Sequence, residues 1–443
     1  MTTPPPPRTP RRRVLLLGGL GALVAVGAPV AATRWGDWSA GATLSGTTDA
    51  GRTASAVSAS ASGTGLFTAD RLHEVVLDVT DAQFRTALST FQESGEKTWL
   101  EVGVTLDGTT YERAGLRLKG NSTLRRADTG AGAESYPWLV RLDKVVDGQN
   151  HGGVTEVVIR VNNSASSLNE VVSLDLLGAA ALASEQHAYA AIRVGDASAL
   201  RVVLESPGDT WAARTMTGDG LLYKAEATGD YTYRGTDPAS YDQVFDQESG
   251  DDDLTPLIEF LQFVNDSSDA DFASGLGERL DVESFATYLA LEDLMDNYDA
   301  IDGPGNNSYL WWDRESRRMT VVGWDHNLTF GVSNRPGGGG AAAAGVGGMP
   351  GGGVPGGGAP AGGGGRGPGG RAANPLVTRF EAVADFTALE TAATARLKAD
   401  LYAGGVASAS LERWSALLAA RAGSLLDEST LATEKAAIAA YLG

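Results

Sequence analysis

Two short stretches of this chain carry oxygen-bearing side chains in a pattern suited to a hard divalent cation and phosphate oxygens. The first holds Asp293, Asp296, Asn297, Asp299 and Asp302 and closes on Asn306 and Asn307. The second is Trp324-Asp325-His326-Asn327. A third group is cationic: Arg117-Leu118-Lys119-Gly120-Asn121-Ser122-Thr123-Leu124-Arg125-Arg126. Backbone amides at a glycine turn, with Lys119 and Arg125 around them and the hydroxyl of Ser122 and amide of Asn121 beside them, make an anion cradle. The glycine spacing of a Walker A loop is absent, and a solvated basic turn fits the same residues equally well. Lys224, at the end of the apolar stretch Gly220-Leu221-Leu222-Tyr223, either reaches phosphate or is solvated. Glu170 either pairs with Lys119, as a helix glutamate pairs with a nucleotide lysine, or compensates a helix N-terminus.

The elements needed to position these groups are legible. Asp281 is a good N-cap, and Val282, Phe285, Ala286 and Leu289 make one apolar helical face from which Asp293 and Asp296 should project. Gly303-Pro304-Gly305 breaks the chain after that helix. Residues 309–312 and 319–322 then read as a hairpin that carries Asp325 to its far end. Upstream, residues 74–79, 100–106, 111–118, 136–142, 156–161, 188–194 and 199–205 read as strands, with Asp107-Gly108 a strong hairpin turn. Helices are predicted over 81–91, from Ser167 or Asn169 to about 184, and over 254–264. The acidic run 246–253 lacks the glycine and glutamate spacing of an EF-hand and reads as a solvated loop.

Composition sets the outer limits. The chain has 443 residues, net charge −20 and no cysteine. An acidic body lacks the basic footprint of a nucleic-acid binder, so no nucleic-acid partner is expected. Thiolate nucleophiles and zinc–thiolate sites are excluded. With four histidines and no Gly-x-Ser-x-Gly elbow, a Ser/His hydrolase is the weaker enzyme reading. Residues 1–33 read as a signal peptide or N-terminal anchor: Arg11-Arg12-Arg13 precedes an apolar run to about Ala32. Export follows, to the outside or the cell surface, with membrane contact only through this segment. Residues 34–66 are a flexible linker. Residues 67–335 form the main domain, 336–373 a Gly-rich insertion without the apolar side chains for a core, and 374–443 about three alanine-rich helices, the third broken near Ser429, docking on the body.

The order of an acidic helix end, an Asn-Asn-x-Tyr strand (Asn306-Asn307-Ser308-Tyr309) and Gly323-Trp324-Asp325-His326-Asn327 resembles the CotH-type kinases, named for spore coat protein H. The resemblance covers residues 67–332 and, more loosely, the C-terminal helices. It implies an α+β, divergent protein-kinase-like fold with a C-terminal helical extension, and phosphate transfer from ATP with Mg2+ or Mn2+ to serines of a protein substrate, rich in serine or basic residues. It further implies that Asp325, with Asn307 or Asn327, holds the metal, and that the catalytic carboxylate is Asp296 or Asp299. Asp296 fits a helix-borne site and is favoured; Asp299 fits an Asn-x-Asp reading. Lys119, Asn121, Ser122, Arg125, Glu170 and Lys224 would then serve the nucleotide. Gly323 stands where the family usually has proline. A non-catalytic surface adhesion or scaffold protein is the competing class, since fold does not fix function.

Overall fold

The computed structural model describes residues 65–120, 124, 130–226, 229–302, 307–332 and 374–443. These fall within one compact unit, Thr47–Gly443. The targeting segment, most of the linker, the Gly-rich insertion, and Asn121, Ser122, Arg125 and Asn306 lie outside the described residues.

Seven strands close into a barrel: β1 (His73–Asp78), β2 (Leu100–Leu106), β3 (Thr109–Leu118), β4 (Trp138–Arg141), β5 (Glu156–Ile159), β6 (His187–Val194) and β7 (Ala197–Glu205). Their order is β1-β2-β3-β4-β5-β7-β6, and the ring is completed by parallel pairing of β1 with β6, Val75 opposite Ile192. The other barrel pairs are antiparallel. The two-residue turn at Asp107-Gly108 forms as expected, both residues having positive φ, which matches the twist of the flanking strands. Mixed α+β content is likewise as expected. The closed barrel is an arrangement of the N-terminal strands that the kinase-like expectation does not include.

Alternation along the strands explains the closure. Val75, Val104, Leu116, Val157, Ile159 and Ile192 share a core with Phe84, Leu88 and Phe91 of helix α1 (Asp81–Ser94). Leu139, Val158, Tyr189, Val202 and Leu204, on the other strand face, are equally buried and belong to a second core built around α2 (Leu168–Ala179) and the C-terminal helices. Both faces of strands β4 to β7 are covered over most of their length, and exposure is confined to the β6–β7 hairpin end. Helix α2 is buried almost all round.

After the short α3 (Asp209–Thr215), four strands make a second sheet, in the order β11-β10-β8-β9: β8 (Gly220–Ala225), β9 (Phe245–Ser249), β10 (Ser308–Asp313) and β11 (Met319–Gly323). The acidic run is therefore not wholly a loop. Its first part is the edge strand β9, anchored by buried Phe245 and Ser249. Helices α4 (Thr255–Asp266), α5 (Asp269–Gly275) and α6 (Val282–Leu294) share this sheet's core. Asp281 caps α6 by accepting from the Ser284 amide at 3.0 Å, and Phe285, Ala286 and Leu289 are buried as the periodicity implied.

The C-terminal residues form four α-helices rather than about three: α7 (Pro375–Glu381), α8 (Ala384–Leu397), α9 (Val406–Arg421) and α10 (Glu428–Leu442). The break expected near Ser429 falls just before it, because Asp427 caps α10 by accepting from the Thr430 amide. Among the described residues no helix is long and apolar enough to cross a membrane.

Candidate active site

The second sheet gathers three of the expected residues at one end. Tyr309 of β10 lies opposite Lys224 of β8 and Val322 of β11, and Ser308 lies opposite Gly323. Lys224, Asn307 and the Trp324-Asp325 turn therefore leave the sheet together. The barrel meets them from the other side. Leu118, Trp138 and Ile159 are neighbours across β3, β4 and β5, so Lys119 and Arg160, the residues that follow β3 and β5, emerge at the same rim. Both reach Trp324: the Lys119 amine is 5.4 Å and the Arg160 guanidinium 5.9 Å from its ring centroid. A buried indole with cations on its face is a favourable, partly desolvated arrangement.

Arg160 joins two carboxylates. Its Nε lies 2.9 Å from Glu170 Oε1, and its Nη2 donates to Asp325 Oδ1. Burial disfavours the charge on Arg160, but Asp325 and Glu170 outweigh it and hold the guanidinium above its ordinary pKa. The pair anticipated between Lys119 and Glu170 is thus replaced by Arg160–Glu170. Sequence reading missed Arg160, and the signal was an arginine ending the apolar stretch Val157-Val158-Ile159. Lys119 remains over Trp324, and its amine is pushed down to about 7 by burial and then by the nearby charge of Lys224. Lys224 itself lies 3.2 Å from Glu226. Glu185, also missed, is 3% exposed, and neither of its carboxylate oxygens has a hydrogen-bond partner among the described residues. Burial raises it to about 7.

The first oxygen-rich group divides. Asp293 and Asp296 are both exposed. Asp296 sits at the end of α6 with φ 49°, and its carboxylate bonds the side chain of Tyr441. Asp299 instead faces the sheet end: Asn307 Nδ2 donates to its Oδ2 at 2.9 Å and to its carbonyl at 3.1 Å. A continuous chain of hydrogen bonds ties Asp299 to the Asp325 turn. Its backbone amide donates to Asn297 Oδ1 (3.3 Å). Asn297 Nδ2 donates to Glu292 Oε2 (2.6 Å), and His326 Nε2 donates to Glu292 Oε1 (2.8 Å). Burial works against protonation of His326, yet Glu292 raises its pKa. The backbone adds two links, Tyr298 N–H to the Leu328 carbonyl (2.9 Å) and Phe330 N–H to the Met295 carbonyl (2.7 Å). Asn169 of α2 holds the Asn327 carbonyl at 2.8 Å.

Among the described residues no group of three or more His, Asp or Glu side chains is placed to hold a metal ion. The oxygen donors at the sheet end are two carboxylates, Asp325, whose side chain is 28% exposed, and Asp299, which is bonded to Asn307, with the amide oxygens of Asn307 and Asn327. Asn307 turns its nitrogen to Asp299, which leaves its oxygen directed elsewhere. So sparse an oxygen set suits Mg2+, which takes one or two carboxylates and completes its shell with waters and substrate phosphates.

An α+β protein in which a barrel rim supplies cations to an aspartate turn is the class that fold and site define. Residues 118–371 match the family described as CotH kinase protein. That stretch is more than half of the chain, and the protein belongs to the CotH family. No curated protein matches the chain.

Proposed function

We propose that this protein is an exported CotH-type protein kinase that transfers the γ-phosphoryl group of ATP to serine or threonine hydroxyls of a surface or secreted protein. One observation carries the reading: Lys119, Arg160 and Lys224 converge with Asp325, Asn307 and Asp299 where the barrel rim meets the end of the second sheet. In a kinase-like arrangement, phosphoryl transfer needs positioning and charge neutralisation more than covalent help from the protein. Lys119 and Lys224 bind phosphate oxygens. Arg160, anchored on Glu170, takes the part usually given to lysine and orients Asp325. Asp325, with Asn307 or Asn327, would hold Mg2+ or Mn2+, which when bound neutralises the polyphosphate. Asp299, oriented by Asn307, accepts the proton of the attacking hydroxyl as its oxygen bonds phosphorus and ADP departs. The exposed Asp296 is the weaker choice, because its carboxylate is engaged by Tyr441 at the C-terminal helix. Asn121, Ser122 and Arg125, which follow Lys119 in the sequence and lie outside the described residues, would serve the nucleotide with it.

Export rests on the tri-arginine flank and apolar run of residues 11–32. The net negative body suits a basic or serine-rich protein substrate. A non-catalytic binding module is favoured by one feature, the pairing of Asp325 with Arg160. Incubating the purified protein with γ-labelled ATP, Mg2+ or Mn2+ and a Ser-rich peptide decides the matter: label on the protein or peptide is expected, and none with either metal overturns the kinase.

A further inference from the structure

Helices α9 and α10 lie beyond the stretch that matches the family, yet they hold the helix on which the site depends. Helix α2 presents Glu170 to Arg160 and Asn169 to the Asn327 carbonyl. Its entrance is irregular. Ser167, at the N-cap, has φ 52° and makes no side-chain capping bond. The amides of residues 165 and 166 precede the helix and have no partner within it, and a buried helix entrance needs acceptors. They come from across the fold. Glu434 of α10, 5% exposed, accepts from the backbone N–H of Ala165 and of Ser166, each at 2.8 Å. It also accepts from the Ser166 hydroxyl, whose oxygen in turn accepts from the Leu168 amide at 3.3 Å.

The middle of α2 is gripped by α9. Buried Asp175 accepts from Trp414 Nε1 at 2.8 Å and from Ser410 and Arg413. Burial raises its carboxyl, but His187, Arg413 and Ser410 prevail and leave it below the usual range. Two further contacts place the same helical layer against the other half of the site. Tyr402 donates to the Leu294 carbonyl at the end of α6 at 2.7 Å, and the Tyr441 ring stands 6.1 Å from that of Phe330.

We infer that Glu434 is a positioning residue: it caps α2 in trans and so sets where Glu170 and Asn169 hold Arg160 and the Asp325 turn. The C-terminal helices then belong to the nucleotide site, and α2 is a fixed strut rather than a helix that swings. This rests on the proposed function. Replacing Glu434 frees two amides and a hydroxyl at one point, with little loss of apolar packing. Charge-assisted bonds to backbone amides are among the stronger hydrogen bonds.

The test compares Glu434→Ala, Glu434→Gln and, as a control, Glu412→Gln, whose partner Lys435 (2.7 Å) lies on the outer surface of the same helices. Amide hydrogen exchange over 165–172 and the affinity for ATP with and without Mn2+ are measured on the full chain. In Glu434→Ala, exchange at 165–172 should quicken while barrel amides stay unchanged. The Mn2+-dependent part of ATP affinity should fall about tenfold, the low end for groups that orient a metal ligand from outside its shell. Affinity without metal should hold, and Glu434→Gln, which keeps an acceptor oxygen, should recover part of the loss. Glu412→Gln should behave as the parent. Unchanged exchange, or quickened exchange with an unmoved Mn2+-dependent affinity, overturns the inference alone. A parent protein with no Mn2+-dependent ATP binding overturns the proposed function and this role with it.

Discussion

Asp299 and Asp296 lie three positions apart, and their surroundings assign them different work. Asp299 sits at the end of the Asn297–Glu292–His326 chain and is oriented by Asn307. Asp299→Asn should therefore keep ATP affinity within about twofold and lower transfer by ~10²–10⁴-fold, the range of general acid–base catalysis. Asp296→Asn should alter transfer less than about threefold, because the residue is a solvated partner of Tyr441. Single-turnover rates at saturating ATP separate the two, and the reverse ranking would move the proton acceptor to Asp296. Lys119 yields a pH signature. With its pKa pushed down to about 7, the free amine is mostly neutral at pH 8 and charged at pH 6. Polyphosphate favours the charged form, so binding at pH 8 should take up a proton and binding at pH 6 should not. Calorimetry in two buffers of different ionisation enthalpy reads this, and Lys119→Met should abolish the uptake. Affinity for ATP should accordingly decline as pH rises past 7.

At the scale of elements, the Asp325 turn shows how chemistry and backbone can be told apart. Asp325 has φ 66°, a left-handed conformation that Asn tolerates nearly as well as Asp. Asp325→Asn should thus leave the melting temperature within a few degrees of the parent and weaken the metal-dependent part of ATP binding at least tenfold. Equal affinities in the presence of Mn2+ would remove Asp325 from the metal site. The helix and hairpin that frame the site were legible because each is a local pattern: an N-cap at Asp281, an apolar face, two apolar runs around a polar turn. Its electrostatic wiring was not. Pairing of Glu170 with Arg160 rather than Lys119 depends on β5 lying two strands from β3 in the barrel, and no spacing in the sequence encodes that neighbourhood. The trans cap from Glu434 is hidden for the same reason. The acidic run misread as a loop shows the opposite failure, where charge on one side of edge strand β9 masked the buried Phe245 and Ser249.

Over the whole molecule, the two faces of strands β4 to β7 bind the barrel to the C-terminal helices through one continuous core that includes Leu139, Tyr189, Trp414 and Leu442. Trp414 is fully buried and its Nε1 meets Asp175. Trp414→Ala should cost about 3–5 kcal/mol and, because that core spans both layers, should lower the denaturation midpoint of barrel and helices together. Loss of helical signal well before the strands melt would show that the layers are separable. The class α+β was reached through the family resemblance carried by the Asn306–Tyr309 and Gly323–Asn327 motifs. Barrel closure was not legible, since it requires β1 to pair with β6 across the whole N-terminal half of the body.

That closing seam also governs how the chain acquires its shape. As the polypeptide emerges N-terminus first, β1 can pair with β2 at once, but its other edge stays open until β6 arrives, long after. The core shared with the last helix cannot be completed before Leu442 is available. Contacts so distant along the chain carry a large loop-closure entropy and slow the search for the native state. The barrel is therefore left unfinished until its distant partners along the chain have been made.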